Sequence, residues 1–337
     1  MVNNASMAYK RTNMLVKLLP LLAFIVPIVI LYFVDPVVFE KTWKGRIFYV
    51  FFLWLISLEI ILSWEELQPA KIKLKSSIRS VVFVLALSLP TVYVFVCLNG
   101  LNTAIQNLAS EGGIFWASVM PLSTEYLVFA ALFALIILLE YGVHGLKVHS
   151  ISAVFLAIIG VIYTIDNIYP NGQFTPFQII VPTTASLAAG LLNFLGYHTA
   201  WLPTYAGMPS LVAIGSNGAS WAASIAWPCS GVESLLIYAV TILLFLRNSF
   251  ISWKQRIVYF VFGGAVTYFI NIVRIATIFI IGINSGPSAA LTFHDYYGQL
   301  YSVSWIVCYP LLIMGSQALV GRIRNQHDPQ KGLVPAN

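Results

Sequence analysis

The chain changes character at Ala226-Trp227-Pro228-Cys229-Ser230-Gly231-Val232-Glu233. This stretch ends a long polar segment without lysine or arginine and begins a hydrophobic helix. A cysteine therefore stands where sequence typical of an extramembrane segment gives way to sequence typical of a membrane span. Two further residues belong with it, Arg274 inside the next apolar run and His294 just before the last one. We predict that the rest of the fold brings these three side chains together.

The composition of the whole chain is typical of an integral membrane protein. Hydrophobic residues make up 59% of the 337 and charged residues only 9%, whereas a soluble domain has about 25% charged residues. Lysine and arginine give a net charge of +6. Because these cations form no basic stripe with polar or aromatic partners, we exclude a nucleic-acid partner. The three cysteines have no metal-ligand spacing, so we expect neither a metal nor another cofactor.

The apolar runs of the chain predict an all-α polytopic membrane protein with about eight transmembrane helices. The predicted spans are 18–34, 47–64, 78–98, 122–141, 151–169, 231–246, 257–283 and 300–320. We divide the chain accordingly into a five-helix membrane region, an extracytoplasmic loop that faces the substrate, a catalytic three-helix region and a cytoplasmic tail. These parts are residues 1–169, 170–228, 229–321 and 322–337.

The loop charges predict the orientation of these spans. Lysine and arginine cluster at the N-terminus, in 65–79, at 147, in 247–256 and in the tail, and they are absent from 99–121, 170–228 and 284–297. Since cytoplasmic loops collect these residues, both termini should lie in the cytoplasm. The exception is the first loop, whose three cations, Lys41, Lys44 and Arg46, would lie outside. This orientation puts Cys229 and His294 at the outer face, with Arg274 at most ~13 Å below it.

The segment 170–228 has its own predicted structure. Leucines at helical spacing in 183–195 predict a helix that lies on the membrane surface or dips into it. Residues 197–227 contain turn signals and short β-prone runs such as 210–214, which predict a small hairpin. A re-entrant loop is the alternative for this part.

The three side chains have complementary chemistry. A cysteine at a helix N-terminus has a lowered thiol pKa and becomes a nucleophile, although Cys229 is equally well a small apolar residue at a helix end. An arginine inside a membrane helix costs at least ~2.5 kcal/mol on insertion scales, so Arg274 needs a partner or a function. His294 has the chemistry of a general base toward a thiol and a general acid toward a leaving amine, although a lone histidine at an interface is more often structural.

Neighbouring residues offer support and alternatives to this assignment. Ser230 adjoins the cysteine, and Asn271 shares the helical face of Arg274. An ion pair of Arg274 with Glu233 or Glu59 is the structural alternative. Asp295 follows His294 directly, and adjacent residues rarely orient each other, so we do not expect it to complete a triad. His198 remains an alternative base.

Three motifs in order resemble the exosortase/archaeosortase family: Pro228-Cys229-Ser230-Gly231, Asn271-Ile272-Val273-Arg274 and His294-Asp295-Tyr296-Tyr297-Gly298. Leu191-Leu192-Asn193-Phe194-Leu195-Gly196 is also similar to the stretch that precedes the cysteine in that family. The resemblance covers 182–309, and within the family the sequence looks nearest to the archaeal branch, in particular its thaumarchaeal members. Glu233 departs from the bacterial pattern, where arginine or glutamine is usual.

The resemblance implies a transpeptidase-like enzyme that sorts exported surface proteins. Its members recognise a C-terminal signal made of a short Pro-containing motif, a transmembrane helix and a basic tail. The implied catalytic residues are Cys229, Arg274 and His294, which form a thioester and pass the new C-terminus to an amine or a lipid of the membrane. A hydrolytic membrane cysteine protease is one alternative. A transporter or lipid-binding protein, in which Arg274 binds an anionic headgroup, is the other.

Overall fold

The computed structural model describes residues 2–67, 76–171, 173–247 and 251–327. Within these ranges, seven helical segments are long and apolar enough to cross a membrane. They are Lys17–Val34, Val81–Glu111, Ala117–Val148, Ser150–Ile168, Thr175–Phe194, Trp253–Ser285 and Pro287–Val320. One small sheet accompanies them. The predicted class, an all-α polytopic membrane protein with a small extramembrane element, is confirmed.

In the described part of the first half of the chain, the regular secondary structure is helical. Its α-helices are α1 Val2–Val34, α2 Pro36–Glu40, α3 Phe48–Leu62, α4 Ser76–Val96, α5 Asn102–Glu111, α6 Met120–Val148 and α7 Ser150–Ile168. A π-helical turn at Cys97–Leu101 joins α4 to α5, and a 3-10 turn at Ala117–Val119 precedes α6.

The second half contains the sheet and the remaining helices. The helices are α8 Thr175–Gln178, α9 Val181–Phe194, α10 Val232–Arg247, α11 Trp253–Ser285, α12 Pro287–Thr292 and α13 Leu300–His327. The strands are β1 His198–Tyr205, β2 Met208–Ile214 and β3 Ser220–Ser224. A 3-10 turn at Trp227–Ser230 precedes α10, and a π-helical turn at Phe293–Tyr297 follows α12.

Six of the eight predicted spans coincide with helical segments that are long and apolar enough to cross a membrane. The second and sixth correspond to α3 and α10, which have 15 and 16 residues and are shorter than the about 20 that cross a bilayer. In the predicted tail, α13 continues to His327, and 328–337 lie outside the described residues. Most of the basic loop 65–79 also lies outside them, at 68–75.

The helix predicted to lie on the membrane surface or to dip into it packs one face against the rest of the protein. Val181, Ala185 and Ala188 of α9 are fully buried, and the helix contacts α11, β2 and the 3-10 turn of Cys229. With α8 it forms a segment long and apolar enough to be a span. The leucine spacing predicted the helix, but the contact face consists mainly of small residues that allow close helix packing.

The predicted hairpin is part of a three-stranded antiparallel sheet. The strand order is β1-β2-β3, so β2 lies in the centre. Each outer strand has one edge that pairs with no other strand of this sheet. Met208, Leu211 and Ala213 of the central strand are buried. The sheet lies against the end of α11, where the Trp221 ring packs on Phe279 with a centroid distance of 4.9 Å.

The loop between α2 and α3 holds its cations in buried contacts. Lys44 pairs with Asp166 at 2.9 Å. Arg46 binds Glu125 through two hydrogen bonds of 2.7 and 2.9 Å. Both basic residues are less than a tenth exposed, so this loop is fixed to α6 and α7. These cations therefore have a structural role that the loop-charge pattern did not reveal.

Candidate active site

Cys229 lies in a tight turn just ahead of α10. Its amide donates to the carbonyl of Ala226 at 3.0 Å, which closes the 3-10 turn. Gly231 then takes a left-handed φ of +95°, which glycine adopts without steric cost. A Cβ at this position would lie 3.0 Å from the Asn271 Nδ2 atom. Cys229 thus lies in a separate 3-10 turn, and Ser230 and Gly231 separate it from the start of α10. The sequence had placed it at the N-terminus of that helix.

The other supporting residues around Cys229 fix its backbone. Asn271 donates from Nδ2 to the Cys229 carbonyl at 3.0 Å. The Ser230 hydroxyl donates to the Trp227 carbonyl at 2.7 Å, and the Ser230 carbonyl accepts a bond of 2.9 Å from Thr184. Asn271 therefore contacts the cysteine turn, whereas the sequence suggested that it holds Arg274.

The thiol of Cys229 contacts the His294 ring. The distance from Sγ to Nε2 is 3.4 Å, and the other ring nitrogen, Nδ1, lies 3.0 Å from Asp295 Oδ1. A carboxylate in this position fixes the ring orientation and favours the imidazolium. The expectation that Asp295 does not orient its neighbour is wrong, because both residues lie in the π-helical turn. His198 begins β1 and is exposed, and the partner of the thiol is His294.

The loop after α2 holds this histidine turn in place. The amides of Thr42 and Trp43 and the Thr42 hydroxyl all donate to the Asp295 carbonyl, at 2.7, 3.1 and 2.9 Å. The Trp43 ring meets the imidazole edge to face at a centroid distance of 5.3 Å. His294 is thereby positioned by a loop in the first fifth of the chain, 253 positions before Asp295.

Arg274 lies buried beside these groups without an ionic partner. The residue is 1% exposed, and its Nε and Nη1 atoms have no hydrogen-bond partner among the described residues. No described carboxylate lies within 4.0 Å of its guanidinium. Gly298 faces the Nε atom so closely that a Cβ there would come within 3.4 Å. The predicted ion pairs are therefore absent in the described structure, and the donors are free for an anionic group.

The two carboxylates proposed as partners of Arg274 have other contacts. Glu233 accepts a hydrogen bond of 3.0 Å from Gln299, and its second oxygen has no partner among the described residues. Glu59 accepts a bond of 2.9 Å from the Ile151 amide and a further bond from the Ser152 hydroxyl. Glu59 thus joins α3 to the start of α7, while Glu233 is a buried polar group beneath the Cys229 turn.

A cavity of about 190 Å³ opens next to the thiol. It is lined by residues of β3, α11 and α12, and Cys229 and His294 are part of its lining. Its other lining is largely apolar: Trp221, Ala223, Ser224, Ile225, Ile275, Ile278, Phe279, Ala290 and Leu291. The thiol–imidazole pair therefore faces a space that accepts an apolar side chain.

These features correspond to one known family. The family model of transmembrane exosortases matches residues 42–312, which is more than half of the chain. The chain belongs to the transmembrane exosortase family. No curated protein and no solved structure has significant similarity to this exosortase. Membership of the family supports a transpeptidase-like sorting function in a multi-pass membrane protein. The match is to the family as a whole, so the archaeal branch remains a prediction.

Sequence reasoning on this exosortase missed the contacts made by its first loop. Thr42 and Trp43 contribute to the site, and Lys44 and Arg46 anchor them. The one available signal was the excess of cations between the first two spans, which contradicted the loop-charge pattern. Cations in a loop that the charge pattern assigns to the extracytoplasmic side are a signal of buried ion pairs.

The charges near Cys229 predict a lowered pKa of its thiol. Burial alone raises the pKa of this thiol, but the His294 imidazolium and the Arg274 guanidinium outweigh burial and lower the pKa below that of a free thiol. The reactive thiolate should therefore persist at lower pH than usual. Replacing His294 by asparagine removes the larger favourable charge but leaves the burial. The thiol pKa should then rise by about 1–3 pH units.

This shift can be measured by alkylation with iodoacetamide in a background that carries C97A and C308A, so that Cys229 is the remaining thiol. The rate is recorded against pH for the enzyme with and without H294N. An unchanged midpoint would show that His294 does not stabilise the thiolate. A replacement of His198 by asparagine is the matched control and should leave the midpoint in place.

Proposed function

We propose that this exosortase cleaves a C-terminal sorting signal from exported surface proteins and transfers the new C-terminus to an acceptor. The observation that carries the proposal is the 3.4 Å contact between the Cys229 sulfur and the His294 ring, beside a buried guanidinium without an ionic partner. A nucleophile, a base and a stabilising cation are the groups that acyl transfer through cysteine requires.

The first half of the reaction forms a thioester. His294 takes the thiol proton, and the Cys229 sulfur attacks the carbonyl carbon of the scissile peptide bond. The carbonyl electron pair moves onto oxygen, where the Arg274 guanidinium offsets the negative charge. When the carbon–nitrogen bond breaks, the imidazolium returns the proton to the leaving amine. The cleaved C-terminal sorting signal leaves with its new amino group, and the surface protein stays bound to the Cys229 sulfur.

The second half transfers the acyl group. An amine or a hydroxyl of a membrane lipid gives its proton to His294 and attacks the thioester carbon, and the carbon–sulfur bond breaks. The thiolate is restored, and the imidazolium is the group that reprotonates it. Nothing is oxidised or reduced, so the reaction needs no further reactant. The class of substrate is a surface protein that ends in a motif, a transmembrane helix and a basic tail.

We place the reaction at the outer face of the cell membrane, with both termini in the cytoplasm. The loop charges favour this orientation, and the single exception has a physical explanation. In the folded protein Lys44 and Arg46 are buried in ion pairs with Asp166 and Glu125, so their charges are compensated on that side of the membrane. The archaeal branch of the family, with a lipid as acceptor, is part of this proposal.

The mass of the product tests the transfer step. A surface protein with the three-part signal is produced together with the exosortase, and its new C-terminus is analysed by mass spectrometry. We expect a C-terminus that carries the added mass of a lipid or an amine. Addition of hydroxylamine should divert the thioester to a hydroxamate. A free carboxylate in the absence of hydroxylamine would contradict transfer and would favour the hydrolytic protease.

A further inference from the structure

The outer edge of β3 has three residues whose backbone groups are available for pairing. The bonds from Ile225 to Pro209 and from Gly215 to Ala219 fix the ladder between β2 and β3, and they place the odd-numbered residues of β3 toward β2. Because alternate residues of a strand direct their amide and carbonyl to opposite edges, Ser220, Ala222 and Ser224 direct theirs outward. None of these outward groups has a backbone partner in the described structure. All three residues are exposed.

The opposite edge of the same sheet is partly blocked. The same alternation places Thr199 and Trp201 of β1 on the outer edge, and Pro203 follows where the register of β1 on β2 shifts. The Thr199 amide is already bonded to the Asn193 side chain at 3.1 Å, and Pro203 has no amide hydrogen to offer. Proteins protect free edges in this way to prevent unwanted strand pairing. An edge left open in a sheet whose other edge is protected indicates a strand-binding site.

The open strand leads to the nucleophile. Trp221, near the start of β3, packs so closely on Gly282 that a Cβ there would lie 2.4 Å from the ring. At the other end of the segment, the Cys229 carbonyl is bonded to Asn271. These two points are separated by about 16 Å along α11. A peptide that runs parallel to β3 therefore moves along α11 from its C-terminal end toward the thiol.

The apolar cavity lies along this course. Ala223, Ser224 and Ile225 line it together with Leu291, and the thiol–imidazole pair belongs to the same lining. A strand added to β3 has side chains that alternate between two faces. One of its residues would therefore direct its side chain into the cavity, whose volume of about 190 Å³ is large enough for a medium-sized apolar group.

We propose that the segment preceding the transmembrane helix of the substrate binds as an extra β-strand on the open edge of β3, parallel to it. Backbone hydrogen bonds to Ser220, Ala222 and Ser224 hold the segment, and the apolar cavity selects one of its side chains. This mode of recognition is strand addition. The arrangement delivers the C-terminal end of the extended segment to Cys229, from where the substrate continues as its membrane helix. The inference rests on the proposed function and specifies how its substrate is recognised.

A proline at position 222 tests the proposal. A222P removes one outward amide and places the proline ring where the added strand would lie, while the ladder to β2 keeps its donors. The control A222V retains the amide and suits a strand. The probe is a surface protein of the same cell that carries the three-part signal. We expect A222P to reduce kcat/KM for its processing by about tenfold or more, since a lost hydrogen bond costs up to that factor and the clash of the proline ring with the added strand adds to it. A222V should stay within about threefold.

The wild-type enzyme and the alkylation rate of Cys229 separate the possible failures. If the wild type cleaves nothing, the proposed function fails, whatever β3 does. If the wild type and A222P process the probe equally, strand addition is wrong and the function stands. A slower reaction of A222P with iodoacetamide would indicate a distorted site.

If A222P distorts the site, cross-linking tests strand addition instead. The experiment uses a background with C97A, C229S and C308A. Cysteines introduced by S220C and S224C should each form a disulfide with cysteines placed along the probe segment, in the order that a parallel strand requires. A cysteine introduced by W201C on β1 should form none. Absence of a cross-link from both β3 positions would overturn the proposal.

Discussion

Replacement of Cys229 by alanine should leave the substrate at full length in the membrane. The variant lacks the sulfur that forms the thioester, and no second thiol can take its place. Cys97 is buried in another helix, and Cys308 lies on α13 and does not line the cavity. Loss of a nucleophile that acts together with its base lowers kcat by about 10⁴-fold or more. Processing should therefore be undetectable when the cell membranes are examined by immunoblotting for the shortened substrate.

The other two cysteines provide matched controls for this result. C97A and C308A make the same chemical change in the same protein and should process the substrate at the wild-type rate. C229S should be inactive as well, because a serine hydroxyl is a far weaker nucleophile than a thiolate beside the same histidine. Normal processing by C229A would reject the acyl-transfer mechanism and favour a transporter or lipid-binding protein.

Replacement of Arg274 by glutamine should separate activity from stability. The guanidinium is buried, with two nitrogens that have no partner among the described residues, so its desolvation cost offsets its attraction to the buried Glu233 carboxylate. Removing an oxyanion-stabilising donor typically lowers kcat by about 10²–10³-fold. We expect a loss of this size in R274Q, with a Tm in detergent that is equal to or higher than that of the wild type.

The opposite pattern would identify a structural arginine. If Arg274 formed a buried ion pair, its removal would leave a charged partner alone and would destabilise the protein by about 3–5 kcal/mol. A marked fall in Tm with unchanged kcat would therefore contradict the proposed role. R274K is the informative second variant, because lysine keeps the charge but lacks the planar fork of donors. It should retain part of the activity.

The sequence contained enough information to find the catalytic candidates, because each lies in a local setting with a chemical meaning. A cysteine between proline and serine at a helix start and an arginine in an apolar run are unusual in any membrane protein, and the structure brings both to His294. Their placement on consecutive helical segments was also predictable. The lengths of the apolar runs follow from the order of residues along the chain, which a single sequence provides.

The misses concern contacts between distant segments. Nothing near Thr42 indicates that it bonds to Asp295, because 253 positions separate them. The role of Asp295 depends on a π-helical turn, whose wider geometry brings two adjacent side chains together. α9 was predicted to lie on the membrane surface or to dip into it because its leucines dominated the pattern, whereas its packed face consists mainly of small residues. In each case the deciding property is the shape of a neighbour, which local sequence does not contain.

The bonds from the first loop to the His294 turn have a consequence for biogenesis. A polytopic protein is made from its N-terminus, so the loop with Thr42 and Trp43 is in place long before the last helices emerge. The Cys229 thiol can contact His294 only after the His294 turn has been synthesised and has formed its hydrogen bonds to the first loop. An incompletely synthesised or misassembled chain would carry a thiol without its base. We therefore expect the Cys229 thiol to become reactive only after the whole chain has been assembled.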